Sequence, residues 1–154
     1  MKSRVVSIVG AGVIVAIAGT AYAQLNPKDA VGVRINAYRE TGAAFKTIND
    51  QLKSGTPVKI MMRTSARTIS NTARDQYNWF PAGSGAETGL KTKAKAAIWS
   101  DAAGFKAAQD RLAHEADLMS KVVETGDAAA MQKQAKALGQ ACAACHQKYR
   151  QQED

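Results

Sequence analysis

The chain has little from which to build a sheet. β-Branched residues seldom alternate with polar ones, and past residue 23 the sequence is rich in Ala, Lys, Gln and Leu, which favour helix. This excludes a βαβ unit, and with it the setting in which a Cys-x-x-Cys pair opens a thioredoxin-like helix. Cysteine and histidine are scarce, with two of each in 154 residues, so a second cluster of cysteine and histidine ligands is excluded. The apolar run over residues 5–18 is shorter than the about 20 residues that a retained membrane span requires. Between Gln24 and Ile60 there is no methionine.

Both cysteines stand together near the C-terminus, in Cys142-Ala143-Ala144-Cys145-His146. Two thiols at this spacing, followed at once by an imidazole, read as a covalent c-type haem attachment site. Each cysteine forms a thioether to a haem vinyl group and His146 turns onto the iron as the proximal ligand. The competing reading is a structural disulfide or a dithiol redox pair with a histidine nearby by accident. The N-terminus offers an independent check, because haem is attached outside the cytoplasm and the protein must be exported. Met1-Lys2-Ser3-Arg4 is a positive n-region, residues 5–18 are apolar, and Ala21-Tyr22-Ala23 matches a small-x-small cleavage site. Residues 1–23 are therefore expected to be a cleaved secretory signal peptide, and residues 24–154 one domain in the periplasm. Losing Lys2 and Arg4 takes the net charge from +8 to +6 over the remaining 131 residues.

Four segments carry apolar residues at helical spacing, so the expected fold is all-α, an antiparallel four-helix bundle with one covalently attached haem. The first runs through Val31, Ile35, Tyr38, Gly42, Phe45, Ile48 and Leu52 and stops at Ser54-Gly55. Thr56 as N-cap and Pro57 at the first helical position open the second, with an inner face of Val58, Met62, Ala66, Ile69 and Ala73, fading near Asn78. After Ser100-Asp101 the third places Phe105, Ala108, Leu112, Ala116, Met119 and Val123 on one stripe, and Thr125-Gly126 stops it. Asp127 caps the fourth, whose stripe of Met131, Ala135, Leu138, Cys142, Cys145 and Tyr149 sets the cysteines on the buried side. The connections are short except between the second and third helices. There, residues 78–100 hold Trp79-Phe80-Pro81, three glycines, Lys91, Lys93, Lys95 and Trp99. A crossover this long is functional or packed on something. Trp79, Phe80 and Trp99 are either core anchors or lie against the porphyrin edge.

The arrangement resembles the class II cytochromes c, the cytochrome c prime family, over the whole of residues 24–154. Cys142-x-x-Cys145-His146-x-x-Tyr149-Arg150 at the end of the last helix carries the resemblance, with Phe80-Pro81, Ala97-Ile98-Trp99-Ser100-Asp101 and Phe105. The resemblance implies a periplasmic haem bundle, frequently a homodimer packed through its first two helices, with Arg150 near the proximal histidine or a haem propionate. One branch of the family leaves the distal position empty, and another fills it with a methionine of the first helix. Counting back from Gly55-Thr56-Pro57 through Gly42 places Arg34 at the family's arginine position and Tyr38 at the distal position, where it matches neither branch.

Tyr38 is then a core aromatic that shields the iron, a hydrogen-bond partner of a bound diatomic ligand or water, or a phenolate ligand. Met61 and Met62 pack as core rather than compete for the iron, and His114 lies off its helix's stripe, at the surface. Arg34 pairs either with a haem propionate or in an exposed salt bridge. Export argues against nucleic acid as a partner; the lysines, spread along the helices and the crossover, read as a solvated surface with a modest bias toward acidic redox proteins of the periplasm. The function expected first is electron transfer through haem c; the alternative is binding of nitric oxide or carbon monoxide at an open or Tyr38-guarded face. No distal histidine or acid–base pair stands beside Tyr38, so an enzyme such as a peroxidase is not expected.

Overall fold

Helix α1, Pro27–Lys53, begins where Asn26 accepts a hydrogen bond from the Lys28 N–H at 3.0 Å and Pro27 needs no partner for a missing one. A computed structural model describes residues 25–152; the segment 1–23 expected to be a signal peptide lies outside them. Gly55, at φ 74°, turns the chain out of α1. Helix α2, Lys59–Asp75, starts later than the Thr56-Pro57 pair suggested, with Val58 at its N-cap. The reason is a long-range acceptor: the Val58 N–H donates to Gln51 Oε1 of α1 at 2.7 Å, so no hydroxyl cap is needed. After α2 and a 3-10 turn at Gln76–Asn78, the crossover ends in the single-turn helix α3, Ala97–Ser100. Helix α4, Ala102–Thr125, is capped by Asp101, and α5, Ala128–Tyr149, by Asp127 as the sequence indicated, with Gly126 at φ 75° between them.

The four long helices close into a ring, with α1 on α2, α2 on α4, α4 on α5 and α5 back on α1. Among the described residues there is no strand, and an isolated antiparallel bridge joins Ala94 to Arg150. Ile48, Met62, Ile69, Met119 and Leu138 fill the main core; each such side chain contributes about 1.5–3 kcal/mol when fully buried. A second, aromatic core of Ile98, Phe105 and Tyr149, with Phe80, Trp99 and Cys145 against it, stands at the other end of the bundle. No helix among the described residues is long and apolar enough to cross a membrane.

Helix α1 is rotated from the expected stripe. Val31, Arg34, Thr41 and Ile48 face inward, Ile35 is half-buried and Gly42 is exposed. The inward positions, three, seven and seven residues apart, keep the helical period all the same, but two of them are polar, which hides them from a count of apolar side chains. In α2, Met62 is core as expected, whereas Met61 is exposed, together with Val58 and Ile60. All three fall beside the inward face, so Val58 and Met61 are not the core residues that the spacing suggested.

The second core depends on a close approach at Gly104. Asp101 Oδ1 accepts from the Gly104 N–H at 3.2 Å while its Oδ2 accepts from the Tyr149 hydroxyl at 2.8 Å, tying the start of α4 to the end of α5. A Cβ on Gly104 would fall 2.7 Å from the Tyr149 hydroxyl and onto the Asp101 carboxylate. A Gly-to-Ala change inside a helix ordinarily gains up to about 1 kcal/mol. Gly104→Ala is expected to do the reverse, lowering stability by about 1–3 kcal/mol in a urea unfolding titration. An unchanged or raised midpoint would mean that the two helix ends part easily.

Candidate functional site

A cavity of about 680 Å³ lies at the aromatic end of the bundle. Helix α1 contributes Arg34, Ile35, Tyr38 and Arg39 to its lining, the crossover Phe80 and residues 91–94, α3 Ile98, and α4 Phe105. Helix α5 contributes Cys145, His146, Tyr149, and the following Arg150. The size is that of a pocket for a substantial organic ligand. Arg34, Arg39, Lys91, Lys93 and Arg150 are its charged residues, and no carboxylate lines it.

Arg34 holds the crossover against α1. It is only 3% exposed, and its Nη1 donates to the Trp79 carbonyl at 3.2 Å and to Ser84 Oγ at 3.0 Å. Its Nη2 donates to the Ser84 carbonyl at 2.6 Å and to Thr92 Oγ1 at 2.9 Å. Phe80 lies under the guanidinium, 5.0 Å from Cζ to the ring centroid. Burial lowers the pKa of Arg34, and the charges of Tyr38 and Glu87 oppose the shift. An exposed salt bridge is thus excluded: the side chain is buried, and its four hydrogen bonds go to neutral oxygens. A cation so placed beside a cavity suits a carboxylate-bearing guest.

Tyr38 points its hydroxyl away from solvent, donating to Gln76 Oε1 at 3.1 Å, with its ring edge-on to Trp79 at 5.5 Å. Burial, then the nearby Cys145, drives its phenol pKa well above the usual value, with Arg34 opposing. The phenol is therefore neutral at physiological pH, which weighs against the phenolate reading as the cavity stands.

On α5, the two cysteines stand three positions apart, almost one turn, with Ala143 and Ala144 between them. Cys145 lines the cavity beside the aromatic core; Cys142, also half-buried, packs on the main core and lies outside the lining. The stripe read from sequence is real, and at Cys145 it is only half-covered because there it opens onto the cavity. Burial, with Cys142 second, pushes the Cys145 thiol up to about 11, and burial also raises Cys142. A dithiol redox pair works through a lowered thiol pKa, so these thiols are poorly suited to that role. Burial first, and then the Arg150 charge, lower the pKa of His146, which keeps its imidazole neutral and a nitrogen lone pair free over a wider pH range. The turn carrying it is fixed from outside: the Lys95 N–H donates to the Tyr149 carbonyl at 3.0 Å and the Gln151 N–H to the Lys93 carbonyl at 2.8 Å.

Of the residues singled out from sequence, the cavity gathers Arg34, Tyr38, Phe80, Cys145, His146 and Arg150. Trp99 lies outside its lining. The indole N–H of Trp99 donates to the carbonyls of Phe80 and Pro81 at 3.2 and 3.1 Å, and its ring would meet a Cβ on Gly85 at 3.0 Å. Trp79 is buried behind Tyr38, so of the three aromatics Phe80 alone fronts the cavity. Met61, Met62 and His114 are also absent from the lining, and His114 is exposed. Sequence reading missed Gln76 and Gln109, both buried. A signal existed, since Gln76 continues the Ile69–Ala73 stripe and Gln109 takes the place between Phe105 and Leu112.

An apolar macrocycle bearing carboxylates fits this lining, with the Cys145 thiol and the His146 imidazole on one wall and cations around it. A family model described as Cytochrome C' matches residues 29–150. The chain is 32% identical to a cytochrome c' of Rhodospirillum rubrum over 138 residues, 89% of this chain and 92% of that protein. It is 44% identical to a cytochrome c' of Rubrivivax gelatinosus over 69 residues, 45% of this chain and 54% of that one. The crystal structure of cytochrome c' from Rubrivivax gelatinosus superposes with a TM-score of 0.74 at 30% identity, covering 81% of this chain and 97% of that chain.

Because Arg34 supplies four bonds to the crossover, Arg34→Met should cost about 2–4 kcal/mol in denaturant unfolding, the range for charge-assisted bonds whose buried acceptors are left bare. Trypsin should then cut faster after Lys91 and Lys93, while Arg39→Met leaves both readings near wild type. Equal protease resistance in the Arg34 variant would mean the crossover is held by its aromatic packing alone.

Proposed function

The chain belongs to the cytochrome c' family of covalent haem c proteins, and from that premise we propose that it is a periplasmic electron carrier whose haem faces an acidic redox partner. Haem c supplies an iron that takes up and gives back one electron and can accept a small ligand on a vacant face. Cys142 and Cys145 would tether it through two thioethers, and His146 would give the proximal nitrogen. Tyr149, tied to Asp101, and Arg150, in the bridge with Ala94, orient the turn that carries His146. Arg34 and Arg150 suit the propionates.

The observation that carries the reading is the charge of the cavity lining. Five cations and no carboxylate line it, more positive charge than two propionates neutralise. Opposite charge on a partner steers the encounter toward this end of the bundle, where electron transfer is shortest. A partner of this kind and location in the periplasm fit the N-terminal pattern of residues 1–23. No second histidine and no carboxylate stands beside Tyr38 in the lining, which supports a carrier or binder over a peroxidase.

A second reading, binding of nitric oxide or carbon monoxide, draws on a different observation. The lining holds no methionine and no histidine besides His146, and the Tyr38 hydroxyl is engaged with Gln76. A distal face without a sixth side-chain ligand is open to a gas.

Absorption spectra of the protein from a culture competent in haem attachment, ferric and then dithionite-reduced, with and without carbon monoxide, test both readings. A haem spectrum is expected, and its absence would overturn both. A shift with carbon monoxide supports the open face, whereas an inert reduced spectrum means a firmly held sixth ligand and leaves electron transfer alone. For the partner, Arg39→Glu with Lys91→Glu should slow reduction by an acidic redox protein by roughly tenfold or more at low salt, with the difference fading at high ionic strength. Equal rates at low salt would remove the charge-steered partner.

A further inference from the structure

We propose that Gln76 fixes the hydrogen-bond polarity of the distal face, presenting Tyr38 to the cavity as an acceptor, so that the face favours small ligands carrying N–H or O–H, such as water, ammonia or hydroxylamine. The inference rests on the open distal face proposed above and names the class of ligand it prefers.

The chain of reasoning is one of proton counting. Gln76 is 2% exposed, and its Nε2 donates to the Ala73 carbonyl at 2.9 Å and to the Gln109 carbonyl at 3.2 Å. Carbonyls only accept, so the nitrogen end of the amide must face them. A flipped amide would set oxygen against oxygen at both contacts and leave buried acceptors unsatisfied. Gln109 holds the backbone from the other side, its Nε2 donating to the Gln76 carbonyl at 3.2 Å. The amide oxygen is thereby committed to Tyr38, which must donate to it at 3.1 Å. A phenol has one proton. With that proton spent on Gln76, only lone pairs of the Tyr38 oxygen remain for a guest in the cavity that this residue lines. A guest with its own N–H or O–H completes a hydrogen bond there. A guest with lone pairs alone meets lone pairs, so Tyr38 gives carbon monoxide no stabilising bond.

The test reads carbon monoxide dissociation and the infrared C–O stretch in the reduced protein. Tyr38→Phe is expected to leave both close to wild type, because no donor is lost. Gln76→Met frees the phenol proton to turn inward, and should slow dissociation about threefold to tenfold and lower the stretch. In the Tyr38→Phe background the same Gln76→Met change should do nothing, a cancellation that a merely structural role for Gln76 would not produce. Faster dissociation in Tyr38→Phe alone would show that Tyr38 already donates to the guest and would overturn the proposal. A second measurement needs neither variant nor gas. With labelled tyrosine, the Tyr38 hydroxyl proton should exchange slowly and show a nuclear Overhauser contact to the Gln76 side chain; absence of that contact also overturns the proposal. If carbon monoxide fails to bind while the contact is present, the open face is wrong and the Gln76 lock stands.

Discussion

The constraint on which the rest depends is that one end of an alanine-rich bundle must stay open. Small side chains let helices approach closely, and nothing in the main core would stop α1, α4 and α5 from closing over the cavity. Arg34 prevents this by reaching from α1 into the crossover and binding it at Trp79, Ser84 and Thr92. The crossover becomes a wall at a set distance from α1, with its Ser84 fully buried. A hydrophobic side chain at residue 34 could fill the space but could not satisfy those oxygens, so a charge is used where an apolar residue is the norm.

The same logic divides the core in two. Ile48, Met62, Met119 and Leu138 hold the helices together at one end. At the other, the rings of Phe80 and Phe105 meet edge to face at 4.8 Å, and those of Phe105 and Tyr149 at 5.1 Å. Rigid rings hold their shape with few rotamers, so they can border a cavity without collapsing into it. Cys142 packs on the first core and Cys145 on the second, which sets the attachment turn at the seam between them. Distortion at either core would therefore reach the thiols.

The long helices, their caps and the attachment motif were legible in sequence because each is encoded locally. Asp101, Gly126 and Asp127 act within a few residues of where they stand, and Cys142, Cys145 and His146 share one turn. What escaped was encoded across the fold. The start of α2 depends on Gln51 of α1, and the inward face of α1 carries Arg34 and Thr41, which a search for apolar spacing passes over. Trp99 and Phe80 sit in the same crossover, and only three-dimensional packing decides that Phe80 fronts the cavity while Trp99 braces the loop behind it.

Polar residues on a buried stripe carry more information about the site than its apolar residues do. Arg34, Gln76 and Gln109 each stand where the helical period calls for a hydrophobe, and each would destabilise the fold if its partners were missing. Their partners are one another's backbones, the crossover and Tyr38, so the cost of burying them is offset only in this arrangement. An aliphatic core at residue 76 would leave the Tyr38 hydroxyl to find its own partner, on a residue that lines the cavity. Keeping that proton bound elsewhere separates the two walls by chemistry: the α5 wall offers nitrogen and sulfur to a cofactor, while the α1 wall offers a ring and an oxygen lone pair. A haem held between such walls would be bound from one side and merely faced from the other, which is the asymmetry that reversible ligand binding requires.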